Sequence, residues 1–385
     1  MKLKFSKNLI LITISAFFFF YSYHAYLILP VRIMELGGTK FDIGLVMSLA
    51  GMSTLLLTPI SGILGDIYKK KYLLLIGTLG LSLVNLGFLF FDEIYYSYLI
   101  LRFFQGCCFS FFFVSAGTLV AENSKNENQT QALGFFGVFT IINHALAPTI
   151  SIEIVKYFSY DYFFISTILF ALLSFIIILN LNSEENEKNN FKKEINFLIP
   201  FKDKKLIFLY LIMFLMGGTF LTCLNFGMVF AKSLNVLPLT TFFIAYTIVA
   251  LIMRIFFGWM PDKYGEMTVC KPALILYGIS IFVLSQSFNY WTMLISGALF
   301  GLSHALVYPS IYSLALNFSD ENSKTKVFSI CSVSFTFGGM LFSIIGGYVA
   351  ELFSFKIMFL SCSIIVTLGL YFLTNLLLKE IEYDS

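Results

Sequence analysis

Charge is scarce in this sequence. Lysine, arginine, aspartate and glutamate make up 12% of its 385 residues, about half of the roughly 25% carried by an ordinary soluble domain. That is too little to clothe a water-facing surface, so a soluble globular fold is excluded. Catalytic patterns are missing as well. There is no HExxH, no GxSxG, no phosphate-binding glycine loop and no pair of carboxylates inside an apolar stretch, which argues against an enzyme. No basic arm and no zinc-spaced Cys/His cluster occur, so neither nucleic acid nor a metal is an expected partner. The six cysteines (Cys107, Cys108, Cys223, Cys270, Cys331, Cys362) fall in or at the ends of apolar segments. They read as small packing residues, not as a disulfide framework.

What the chain has instead is hydrocarbon: 58% of residues are hydrophobic and 47 are phenylalanine. A membrane-crossing helix needs about 20 mostly apolar residues. That ruler gives twelve spans, at 8–30, 41–65, 72–91, 94–121, 130–155, 160–181, 205–231, 239–260, 269–288, 290–317, 326–351 and 355–378. The first follows Lys2, Lys4 and Lys7 but is too long for a signal-peptide core and has no small-residue cleavage site, so it is expected to be retained. With the N-terminus inside, eighteen of the 25 lysines and arginines lie in cytoplasmic segments. Five lie outside (Arg32, Lys40, Lys156, Lys232, Lys356), and Arg102 and Arg254 lie within spans. The positive-inside rule then places both termini in the cytoplasm of a multi-pass plasma-membrane protein. The one long polar stretch separates the spans six and six. The expected layout is an N-terminal bundle at 1–181, a linker at 182–204 and a C-terminal bundle at 205–385.

The halves repeat. GILGD ends the second span and FGWMPD the eighth, with Asp66 and Asp262 196 residues apart. Gly106 and Gly301 are separated by 195 residues, as are Glu122 and Asn317. One offset shared by three landmarks makes two parallel repeats about an axis along the membrane normal. The fold class read from this is all-α and integral to the membrane, with twelve helices in two six-helix bundles.

These residues resemble the major facilitator superfamily. GILGDIYKKK is similar to that family's loop 2–3 motif, at Gly62, Asp66, Lys70 and Lys71, with Lys69 where the family prefers glycine. GWMPDKYGE keeps Gly258, Asp262 and Gly265 but has Glu266 in place of the basic pair. LRFFQG resembles the fourth-span motif at Arg102, Gln105 and Gly106. GFFGVFTIINHALAP resembles the exporters' fifth-span motif at Gly134, Gly137 and Pro148, with Ala147 replacing a glycine. The resemblance implies a transporter working by alternating access, without a cofactor, acting as a monomer on a small molecule. It also implies that Asp66 latches a cytoplasmic gate against a helix N-terminus, with Gly62 allowing close helix approach; the plainer reading of Asp66 and its lysines is a loop that sets topology. Arg254 shares a helical face with Gly258 and Asp262, and a reach toward Asp262 or backbone carbonyls is expected of it.

All three histidines, His24, His144 and His304, fall inside spans. In the family, spans 1, 4, 7 and 10 line the cavity, which would expose His24, Arg102 and His304. Intramembrane ionisable groups are functional candidates, and histidine is the side chain that titrates near neutrality. Arg102, His24 and His304, with Glu122 at the mouth of span 4, are therefore the candidate proton-coupling residues. Tyr21, Tyr23, Gln105 and Asn225 are the candidates for substrate contact. Each histidine can equally be a hydrogen-bonded packing residue, the expectation for His144. Span 1 carries no acidic residue, unlike many drug/proton antiporters of the superfamily. Proton-coupled export of a small organic compound is the expected function, with a nutrient or metabolite importer or facilitator as the alternative. Asp66→Asn is expected to lower transport without affecting membrane insertion; unchanged flux at equal abundance would remove the latch.

Overall fold

A computed structural model describes residues 6–91, 96–123, 129–181, 203–319 and 323–384, apart from the side-chain surroundings of residues 66, 129–135, 325 and 381–384. All regular structure among the described residues is helical. The helices are α1 (Lys7–His24), α2 (Leu29–Glu35), α3 (Lys40–Ile67), α4 (Lys70–Phe90), α5 (Ser97–Glu122), α6 (Gln129–Tyr157), α7 (Tyr160–Leu179), α8 (Lys204–Ser233), α9 (Thr241–Phe257), α10 (Met260–Tyr264), α11 (Glu266–Ser285), α12 (Tyr290–Asn317), α13 (Lys324–Leu352) and α14 (Phe355–Asp384). Eleven helical rods are long and apolar enough to cross a membrane, and α9 is a shorter apolar helix of 17 residues.

Proline sets two departures from the expected rods. Pro30 has no N–H to give the Tyr26 carbonyl, and the N–H of Leu29 takes that acceptor instead. The result is a single 3-10 turn, Ala25–Ile28, joining α1 to α2. Likewise, the eighth span is not continuous. Helix α9 stops at Phe257, and Pro261 sits in the first turn of α10, where its missing donor costs nothing.

The chain forms two compact units. The first holds α1, α2, α3 from Leu49 onward and α4–α7; the second holds Thr39–Ser48 and α8–α14. Residues Thr39–Ser48, which fall within the sequence boundary 1–181, thus cluster with the second unit. The local reason is backbone proximity to α13. Lys40 N donates to Glu351 Oε2 at 2.8 Å and its Nζ to the Ala350 carbonyl at 2.9 Å, and Gly44 lies against Gly347 with no side chain intervening.

In lipid, helices gain little from hydrophobic burial against each other, so association rests on close packing and interhelical hydrogen bonds. The first unit shows both. One face of α1 (Leu9, Ile12, Ala16, Phe19, Phe20) joins a single buried cluster with Leu74 and Leu81 of α4 and Cys108, Phe112 and Ala116 of α5. Phe19 and Phe112 stack at 3.9 Å. On another face Ser15 and Ser174 join α1 to α7 through hydroxyls 2.7 Å apart. In the second unit α8 is buried along most of its length. Its Asn225 donates to Ser343 of α13 at 2.8 Å, and the Met216 carbonyl accepts from Tyr277 of α11 at 3.0 Å.

The repeat is visible in backbone contacts. A side chain at Gly106 would collide with the Ala50 carbonyl, and one at Gly301 with the Tyr246 carbonyl. Ala50 and Tyr246 are themselves 196 residues apart, so one close approach recurs in each unit. Gly62 differs from the expectation of close helix approach: a Cβ there would meet no atom within 4 Å. Gly106→Val should therefore destabilise by about 1–3 kcal/mol, whereas Gly62→Ala should change stability by less than about 0.5 kcal/mol. Thermal unfolding in detergent would check both.

Candidate functional site

Arg102 lies in the second turn of α5 and is 5% exposed. Its Nη1 donates to Gln105 Oε1, one turn on, at 2.8 Å. From there a line of polar side chains crosses the first unit. Gln105 Nε2 donates to Asn85 Oδ1 of α4 at 2.8 Å, Asn85 Nδ2 to Ser22 Oγ of α1 at 2.9 Å, and Ser22 Oγ to the Thr167 carbonyl of α7 at 2.8 Å. Each amide gives with its nitrogen and accepts with its oxygen, so the chain has one consistent direction and ends on backbone. Four helices are thereby held to one guanidinium. Arg102 also lies over the Tyr23 ring, 5.6 Å from its centre.

Helix α1 feeds this unit on all sides, because successive residues turn by about 100°. Tyr21 stacks on Phe170 of α7 at 3.9 Å, Tyr23 packs on Phe109 of α5 at 4.6 Å, and His24 packs on His144 of α6 at 4.3 Å. His24 Nδ1 has no hydrogen-bond partner among the described residues. Of the expected substrate set, Tyr21 and Tyr23 take different neighbours within the first unit. Tyr21 is 1% exposed and faces away from Tyr23; Gln105 is committed to the amide line; Asn225 belongs to the second unit.

His304 sits in the second unit inside a ring of aromatics. Phe220 stacks on it at 4.5 Å, Tyr308 lies at 5.4 Å and Phe300 is parallel to it at 6.1 Å. Tyr308 donates to Tyr312 at 3.4 Å, and Tyr312 meets Ser332 at 2.7 Å. Arg254 has an Nε–H with no hydrogen-bond partner among the described residues. It forms no ion pair with Asp262 among the described residues, which corrects the expectation of that reach. The break between α9 and α10 removes the continuous helical face that would have aligned the two. Gly265, with φ +87°, turns the chain from α10 into α11.

The loop 2–3 lysines divide their work. Lys70 Nζ pairs with Glu122 Oε1 at 2.8 Å, tying the start of α4 to the end of α5. Lys71 Nζ donates to the Leu179 and Leu181 carbonyls at 2.8 and 2.7 Å, capping the C-terminal end of α7 where a cation is favoured. Glu122 therefore belongs with Lys70 instead of with His24 and Arg102. In the second unit the same corner is rebuilt with the charge reversed: Glu266 Oε1 accepts from Ser313 at 2.8 Å and from Asn317 at 2.9 Å. Asp66 is in the last turn of α3, but its side chain lies outside the described residues, as do the surroundings of Gly134. Gly137 and Pro148 are both within α6. Pro148 cannot donate to the carbonyl four residues back, that of His144.

Lys70 is 9% exposed and Glu122 46%, which makes the pair asymmetric. Glu122→Gln strands a buried ammonium, whereas Lys70→Met leaves a carboxylate that water can solvate. The first should be the more destabilising, with a double-mutant coupling of about 0.5–1 kcal/mol, read by thermal unfolding of the four proteins.

Comparison with known proteins places this geometry. A family profile described as Major Facilitator Superfamily matches residues 9–289 and 239–382. The staphylopine export protein of Staphylococcus aureus is 24% identical over 358 residues, covering 88% of each chain. The multi-drug resistance efflux pump PmrA of Streptococcus pneumoniae is 25% identical over 372 residues, covering 92% of each. Among solved structures, the nucleoside transporter NupG superposes with a TM-score of 0.79 at 13% identity, over 96% of this chain and 99% of that one, which speaks to the fold. With its membrane-length helices, its duplicated glycine contacts and a family match along nearly its whole length, the chain belongs to the Major Facilitator Superfamily, a family of multi-pass membrane transporters.

Proposed function

We propose that this chain exports a small organic compound across the plasma membrane by alternating access, in exchange for protons, with both termini in the cytoplasm. The observation that carries the proton step is the His24–His144 pair, with ring centres 4.3 Å apart. Two imidazolium charges at that distance would repel by about 4 kcal/mol at an effective dielectric of about 20. The pair can therefore accept at most one proton at a time, a unit load. Its location supports coupling to helix movement: His24 ends α1 at the 3-10 turn, and Pro148, one turn after His144 within α6, has no N–H to give that helix. Both are places where a helix can change its bend. Export is supported by what the two relatives do, staphylopine export and multi-drug efflux.

Import or passive facilitation through the same fold is the second reading. It is favoured by the lack of any acidic residue in α1, which removes the usual partner of a cationic drug.

Flux from proteoliposomes separates the two. The probe is whichever compound of a metabolite and drug panel most raises the protein's melting temperature. An inward proton gradient should accelerate its efflux, and His24→Gln or His144→Gln should abolish that acceleration by about tenfold or more, in line with the loss of a proton-transfer group. Exchange of labelled for unlabelled compound without a gradient should continue in both variants. Efflux indifferent to the gradient would establish the facilitator.

A further inference from the structure

We infer that the transported compound is an organic anion, and that Arg102 receives its carboxylate. The inference rests on the transporter reading above but not on proton exchange.

Arg102 is a buried guanidinium with five donors. One Nη1 hydrogen reaches Gln105, and the Nε–H finds no partner among the described residues. No described carboxylate pairs with it either. Every described Asp and Glu of the first 181 residues lies within five residues of a helix end. The amide line from Gln105 through Asn85 and Ser22 to the Thr167 carbonyl orients the arginine with neutral groups. It fixes the fork in place and, among the described residues, leaves the charge without a carboxylate.

A bundle that needed only a structural crosslink would have no use for that charge. An uncompensated buried cation is costly in a membrane protein, and a carboxylate or a second amide would relieve it. The counterion that fits a guanidinium fork is a planar oxyanion, bound by two parallel N–H···O contacts. Beside the arginine, the Tyr23 and Phe109 rings pack at 4.6 Å, an apolar surface suited to an aromatic or aliphatic body. A cationic substrate would meet Arg102 as a like charge.

The test is equilibrium binding by the full-length protein in detergent, read as a melting-temperature shift. Benzoate and 2-naphthoate are compared with their neutral amides and with benzylammonium. The carboxylates should give a saturable upward shift and the amides and the ammonium none. Arg102→Gln should lose the shift, and Arg102→Lys should weaken apparent affinity by about tenfold or more, because an ammonium cannot form the paired contact. Shifts that are equal across the three charge types, larger for the ammonium, absent for both carboxylates, or retained in Arg102→Gln would overturn the assignment. If Arg102→Gln does not accumulate, the ranking of charge types on the unaltered protein still decides. An efflux indifferent to protons would end the exchange reading while leaving this ranking intact, because no gradient is present.

Discussion

Inside hydrocarbon, a polar side chain has only the protein to turn to. That constraint governs the first unit, where one guanidinium in α5 is held through Gln105, Asn85 and Ser22 to the backbone of α7. An interhelical hydrogen bond in a membrane is worth only about 0.6 kcal/mol on average, so the line is a weak glue. Its value is directional. It decides which atoms of Arg102 are occupied and which remain free, and it makes α1, α4, α5 and α7 agree about where that charge stands.

The two units share a skeleton and diverge in chemistry. Glycine against a carbonyl recurs at Gly106 and Gly301, since two backbones can approach that closely only where no Cβ intervenes. Around that shared contact the side chains part company. Where the first unit has a polar line and two histidines, the second encloses His304 with Phe220, Phe300 and Tyr308. The corner at Lys70 and Glu122 is rebuilt around Glu266, which takes the place of Lys70 with the opposite sign. Duplication preserved what the backbones require and left the intramembrane polar groups free to differ, so a function built on those groups is not symmetric.

Much of the fold is legible in the sequence because its signals are one-dimensional. Span length, lysine position and the common 195–196 offset all lie in the order of residues. The site is less legible because its contacts are between helices. Asn85, in LGLSLVNLGF, is a polar residue inside the third span and can be marked on that ground; its role between Gln105 and Ser22 follows only from helix rotation. His144 reads as a packing residue, and nothing in the sequence brings it to His24, 120 positions earlier. Tyr21 and Tyr23 group together by proximity in sequence, yet two residues along a helix point about 200° apart, and they pack on different neighbours. Arg254 and Asp262 align only on a continuous helical face, and Pro261 interrupts it.

The position of Pro148 joins these threads. A proline within a helix leaves one carbonyl without its ladder donor and weakens the rod at that turn. In α6 that proline is Pro148, one turn after His144, whose ring meets His24 just where α1 passes into its own irregular turn. The two histidine rings that meet in the first unit are therefore each carried beside an irregular or proline-bearing turn. On the exchange proposed above, a proton arriving on either ring would change the charge between two such turns. On that proposal, uninterrupted helical turns at the same two places would give the change less freedom to bend a helix.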